Sequence, residues 1–119
     1  MSDFPGIDPQ GLARLNKIGG SAFVIKMIDL FLEEIPERLS AARNGEQSGD
    51  LHAVAEATHS IKSSAYNFGA ENLGRLAQKI EGMTRSNDCE SLPELLDDLE
   101  KTYAAAKTWL ESQRSNFIK

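Results

Sequence analysis

The chain is expected to fold as an all-α domain, an antiparallel four-helix bundle with a short additional helix at its N-terminus. Three observations predict this. The apolar residues recur at helical spacing almost throughout, and no convincing alternating strand appears. Four long amphipathic segments are separated by short turn signals, as antiparallel neighbours require. The size also fits: 119 residues, 40% hydrophobic and 26% charged, make one globular domain able to bury a core without staples. A single domain over 1–119 is expected, with its core at about 8–112.

The first helix is placed at residues 8 to 18, with Leu12, Leu15 and Ile18 on one side and Gly19-Gly20 ending it. Ser21 is the expected cap of a second, long helix running to about Arg43. Its apolar set (Phe23, Val24, Met27, Ile28, Phe31, Leu32, Ile35 and Leu39) is wider than one core stripe needs. Pro36 removes the hydrogen bond to the Leu32 carbonyl, which predicts a bend there. Asn44-Gly45 to Gly49 is read as a turn, Asp50 as the N-cap of a third helix over 51–68, and Gly69 as the left-handed residue closing it. The fourth helix, about 71–85, carries Leu73, Leu76, Ala77, Ile80 and Met83 at 3–4 spacing. Ser86-Asn87-Asp88 is a loop, and Ser91 with Glu94 reads as a capping box for a fifth helix through Leu110. No repeat, low-complexity tract or linker interrupts this pattern.

Thirteen basic and 18 acidic residues leave a net charge of −5, which argues against a nucleic-acid partner because phosphate binding needs a basic face. Cys89 is the only cysteine, so an internal disulfide is impossible, and a reducing cytoplasm is the expected compartment. No apolar run approaches the roughly 20 residues that span a bilayer. Asp3 and Pro5 stand where a signal peptide would have a basic start.

The informative stretch is Thr58-His59-Ser60-Ile61-Lys62-Ser63-Ser64. At about 100° per residue, Val54, Ala57, Ile61, Ala65 and Phe68 form the core sector of the third helix. His59 points nearly opposite its centre. His52, Glu56, Ser63 and Tyr66 share its side, and Ala55 and Lys62 lie on the flank. A core histidine would sit in the other sector; a plain solvated histidine stays open on geometry alone. The chemistry favours a phosphorylatable imidazole. A neutral ring nitrogen is nucleophilic near pH 7 and can attack a phosphoryl group in line. Lys62 at i+3 can reach the phosphoryl oxygens and offset their charge. Ala55 and Ser63 are small and would let another protein's active site approach. No Walker lysine or kinase signature is present, so phosphate donor and metal are expected from a partner.

The stretch ATHSIKSSAYNFGAENLGRLAQKIE, residues 57 to 81, resembles the histidine-containing phosphotransfer (HPt) domain. His59, Ile61, Lys62, Gly69, Ala70 and Leu73 match the family pattern in place, and residues 28–39 are similar to the family's long second helix, proline included. The likeness spans about 10–110. It implies a phosphocarrier that passes phosphoryl groups between receiver-domain aspartates, with His59 as phosphoacceptor and Lys62 as its charge partner. A polar residue on the next helix often orients the imidazole in this family. Here that position is Glu81, with Gln78 one turn earlier; a carboxylate could fix the tautomer, and it would repel a phosphoryl group that came too close. Ser63 stands where the family usually has glycine. Expected partners are receiver domains of response regulators or hybrid histidine kinases. Mg²⁺ is expected in the receiver, with no cofactor in this chain, and a monomer is expected. Docking would use Ala55 and Tyr66 beside His59, and Leu12, Leu15, Val24 and Ile28 if the first helix does not bury the latter four itself.

Other readings are weaker. Glu56 and His59 have the Glu-x-x-His spacing of di-iron bundles, but His52 has Gly49 at the matching position, so no second copy exists. A surface zinc site from His52, Glu56 and His59 is geometrically possible. The rivals with most weight are a helical interaction module without phosphotransfer and the phosphoacceptor domain of a larger histidine kinase. Met1 and the polar tail Arg114 to Lys119 favour a free-standing protein.

Overall fold

A computed structural model describes residues 7–118; the readings placed on Met1, Asp3, Pro5 and Lys119 lie outside them. Four helices carry the chain: α1 Gln10–Ser48, α2 Leu51–Asn67, α3 Glu71–Arg85 and α4 Leu92–Arg114, followed by a 3₁₀ turn at Ser115–Phe117. Each helix packs on its neighbours in chain order and α4 closes the ring on α1, with the side chains of all four meeting in one core. The ion pairs Arg43–Asp97 (2.5 Å) and Arg114–Asp29 (2.7 Å) join α1 and α4 in opposite directions, which sets them antiparallel.

The expected first and second helices are both present and meet at a kink at Gly20, whose φ of 82° and ψ of −177° belong almost exclusively to glycine; the label α1 runs through it. Ser21 makes no capping bond among the described side chains. No other residue of α1 leaves helical dihedrals, so the break falls at Gly20 and not at Pro36. Pro36 has no N–H for the Leu32 carbonyl, and the Tyr103 hydroxyl of α4 donates to that oxygen instead, at 3.5 Å. Helix α1 also outruns its expected end. Asn44-Gly45 stays helical because Gly45 is buried where α1 meets α2: a Cβ there would come within 2.9 Å of the Asp50 carbonyl and 3.0 Å of Val54. The chain turns at Gly49, in the left-handed conformation.

Asp50 caps α2 through a bond from the Ala53 N–H at 3.1 Å. Helix α2 ends one residue earlier than expected, and Gly69 (φ 74°) closes it with the Ala70 N–H on the Ala65 carbonyl at 2.9 Å. The capping box at Ser91 does not form. Ser91 adopts φ −95° and ψ 7°, outside the extended region a cap needs, and its side chain accepts nothing; Pro93 instead opens the first turn of α4.

The core is a stack of inward rows: Val24, Ile28, Phe31 and Ile35 from α1, Val54 and Ile61 from α2, Leu73 and Ile80 from α3, Leu96 and Leu99 from α4. The N-terminal turns of α1 lie over the α2–α3 loop, where Gly11 packs against the Phe68 backbone and the Arg14 guanidinium donates to the Asn67 carbonyl at 3.4 Å. The wide apolar face of the later part of α1 is used in full: Val24, Ile28, Phe31, Ile35 and Leu39 are core, Phe23, Met27 and Leu32 lie half-buried along its margin, and Leu12 and Leu15 join the same core.

Candidate functional site

Helix α2 is flanked by α1 on one side and α3 on the other, and His59 stands on the outer ridge between them with 55% of its side chain exposed. The preceding residue points inward: the buried Thr58 hydroxyl donates to the Val54 carbonyl at 2.8 Å, which satisfies it without any role at the surface. The antiparallel packing of α2 and α3 brings Glu81 opposite His59. Glu81 Oε2 lies 3.1 Å from His59 Nδ1, and its other oxygen lies 3.2 Å from Lys62 Nζ. Arg85, one turn along α3, donates from both Nε (3.2 Å) and a terminal nitrogen (3.0 Å) to Oε2.

A single carboxylate, 11% exposed, thus gathers an imidazole, an ammonium and a guanidinium. An ionised carboxylate only accepts hydrogen bonds, so the ring presents N–H at Nδ1 and keeps its lone pair at Nε2. Nε2 then faces away from α3. Burial alone would raise the Glu81 carboxyl, but the hydrogen bonds from Arg85 and Lys62 and the charges of Lys62 and His59 outweigh it and hold the group below its ordinary 4.5. A carboxylate depressed in the fold stabilises it fully above that ordinary value, and the contribution falls away below it, to be lost as pH passes the lower value the group has in the fold. Urea unfolding from pH 7 down to pH 3 should therefore show a stability loss beginning below about 4.5, and Glu81→Gln should flatten that part of the curve.

Two open hollows flank His59. One, of about 450 Å³, is lined by Arg38, Glu56, His59, Ser60 and Arg85 among others; the second, about 240 Å³, by Glu34, Arg38, His59, Ser60, Ser63 and Ser64 with Ile35. Ser63 is thus exposed beside the imidazole. Tyr66 is also exposed, but its hydroxyl donates to Gln78 Oε1 at 3.4 Å, so Gln78 serves Tyr66 and not His59.

Five expected docking residues are not on the surface. Ala55 is buried, because it shares with Thr58 and Lys62 the flank of α2 that α3 covers. Leu12, Leu15, Val24 and Ile28 are all core residues under α1. His52 pairs with Glu56 at 3.4 Å while His59 turns to Glu81, and no three His, Cys, Asp or Glu side chains among the described residues are grouped to hold a metal. Arg85 and Arg38 were not legible as site residues. The i,i+4 spacing from Glu81 was the available signal for Arg85; Arg38 depends on how α1 registers against α2, which periodicity within one helix does not encode.

A ring of four helices that presents an outward imidazole on its second helix, with a lysine one turn on, has the architecture of the helical histidine phosphocarriers. Residues 26–109 match the Hpt domain family, and the chain belongs to that family. Phosphorelay protein LuxU of Vibrio vulnificus strain YJ016 is 28% identical over 109 residues, covering 87% of this chain and 93% of that protein. LuxU of Vibrio harveyi is 28% identical over 107 residues, covering 87% and 94%. The crystal structure of histidine-containing phosphotransfer protein B (HptB) from Pseudomonas aeruginosa PAO1 superposes with a TM-score of 0.89 at 25% identity, covering 94% of this chain and 96% of that one. The chain is a histidine phosphocarrier of a phosphorelay, and its partners are receiver domains of response regulators.

Proposed function

We propose that His59 Nε2 is the phosphoacceptor, and the observation that carries this is the 3.1 Å contact between Nδ1 and Glu81. With Nδ1–H donated to Glu81, the Nε2 lone pair is free and aimed outward. It attacks the phosphorus of a receiver's aspartyl phosphate in line. The N–P bond forms as the acyl P–O bond breaks, and the electron pair leaves on the aspartate. The Nδ1 proton stays on the ring, whose positive charge Glu81 offsets. The reverse path delivers the phosphoryl group to a second receiver, on a response regulator or a hybrid histidine kinase. Lys62 is the cation that follows the phosphoryl oxygens, exchanging part of its contact with Glu81 for them. Glu81 sits on the Nδ1 side, so it orients the ring without meeting the phosphoryl group. Ser63 and Tyr66 lie on the exposed side, where a receiver would dock.

Mg²⁺ and the aspartate belong to the receiver in this reading, and the chain has no ATP site of its own. Among the described residues no helix is long and apolar enough to cross a membrane; a monomer working in the cytoplasm is proposed. The test is transfer of labelled phosphoryl from a panel of phosphorylated receivers with Mg²⁺, read as acid-labile, base-stable label. Label must appear at His59; a folded chain that takes none from any receiver overturns the proposal. Glu81→Ala should slow the acceptance rate roughly ten-fold, the lower end of what losing an imidazole's orienting partner costs in metal sites. Glu81→Gln, which keeps an oxygen for Nδ1–H, should retain most of the rate; equal loss in both would shift the role of Glu81 from orientation to charge.

A further inference from the structure

We infer that Arg38, on α1, is a second phosphoryl-binding residue, reaching the group on His59 from the side opposite Lys62. The inference rests on His59 as phosphoacceptor. Glu81 holds Nδ1 from the α3 side, which leaves the Nε2 edge of the ring turned outward and away from α3, and α1 is the helix that flanks α2 on that other side. Arg38 is the side chain α1 supplies there. It lines both hollows beside the imidazole, together with His59 and Ser60.

Its electrostatic state is the second observation. Arg14, Arg43, Arg75, Arg85 and Arg114 each hold a carbonyl or a side-chain oxygen. Among the described residues Arg38 is the arginine that has neither an ion pair nor a hydrogen bond. Glu34 lies one turn before it on the same helix and lines the smaller hollow, yet no ion pair forms; Glu56, in the larger one, is taken by His52. Lys62 and Arg85, by contrast, already share Glu81. The uncommitted guanidinium therefore stands on the side where phosphoryl oxygens would appear, and its planar fork suits two of them at once.

Potassium phosphoramidate is the probe, because it loads histidine without a receiver and so separates phosphoryl binding from docking. His59 Nε2 bonds to phosphorus as the P–N bond breaks, and ammonia leaves with the protons it already carries. Wild type, Arg38→Ala, Arg38→Lys and His59→Gln, each carrying His52→Gln so that the other exposed histidine takes no label, would be loaded, freed of donor, and followed by ³¹P NMR. In a loose, metaphosphate-like transition state the non-bridging oxygens carry less charge than in the phosphohistidine dianion, so a cation fixed on those oxygens, with none placed on the leaving nitrogen, favours the phosphohistidine. Arg38→Ala should lose its phosphoryl group about three- to ten-fold faster than wild type, the range of one partly exposed charge-assisted contact. Arg38→Lys should fall between, keeping charge without the fork. An unchanged lifetime in Arg38→Ala overturns the assignment, and if receiver affinity alone dropped, Arg38 would be a docking residue instead. Phosphohistidine forming equally in His59→Gln would mark failure of the His59 reading itself.

Discussion

Replacing His59 by glutamine is expected to abolish phosphoryl acceptance while leaving the fold intact. The side chain is more exposed than covered and fills no part of the core, so its loss should change stability by less than about 0.5 kcal/mol. Glu81 keeps Lys62 and Arg85 as partners, so no buried carboxylate is stranded. Glutamine has no nucleophilic lone pair on nitrogen, which removes the one atom to which phosphorus bonds. The chain supplies its own control. His52 is an exposed histidine two turns earlier on α2, paired with Glu56 but with no cation set around it. His52→Gln should accept label like wild type. Intact label on His59→Gln, or its transfer to His52, would remove the basis of the mechanism.

The largest effect on stability is expected at Gly69. Gly69→Ala should cost about 2–4 kcal/mol: about 1–2 for a Cβ in the left-handed region and about 1–3 for overpacking, which need not add in full. The new methyl would run into the Asp8 carbonyl oxygen, and the chain there is pinned by the Asp8 N–H on the Gly69 carbonyl at 2.7 Å, so neither side can yield cheaply. Gly49 is the comparison. Its φ of 77° matches the 74° of Gly69, but a Cβ there meets nothing within 4 Å. Gly49→Ala should therefore show only the conformational part, about 1–2 kcal/mol. Urea midpoints of the two variants separate the terms; equal losses would mean that the collision with Asp8 is relieved at no cost.

What was legible in the sequence follows from which signals are local. Asp50 capping α2, Gly69 in the left-handed region and the row Leu73, Ala77, Ile80 facing inward all depend on a few neighbouring residues, and all are present. The errors arise where a distant element decides. Asn44-Gly45 has the composition of a turn, yet Gly45 serves close approach of α1 to α2. Ala55 sits on the outer flank of an isolated helix and becomes interior only because α3 lies on that flank. The apolar excess of α1, Phe23, Met27 and Leu32, lies half-buried at the margin of the core, a place set by the neighbouring helices that no single-helix pattern could announce. At the site, His59, Lys62 and Glu81 were each picked out, but not that one carboxylate would hold both of the others and Arg85 as well.

The placement of that carboxylate has a consequence for how the chain can change. His59, Lys62, Glu81 and Arg85 all belong to one helical hairpin within residues 59–85, closed by the three-residue loop Phe68–Ala70. Contacts this close in sequence need little loop-closure entropy, so these four side chains can assemble as soon as α2 and α3 pair, while Arg38 joins them when α1 docks. Helix α4 has its backbone against α1 and α3 and supplies no side chain to the site on α2. Its outer face is therefore free to drift as long as its apolar stripe keeps the bundle closed, and a lineage can alter charge and contour there without retuning the chemistry at the imidazole.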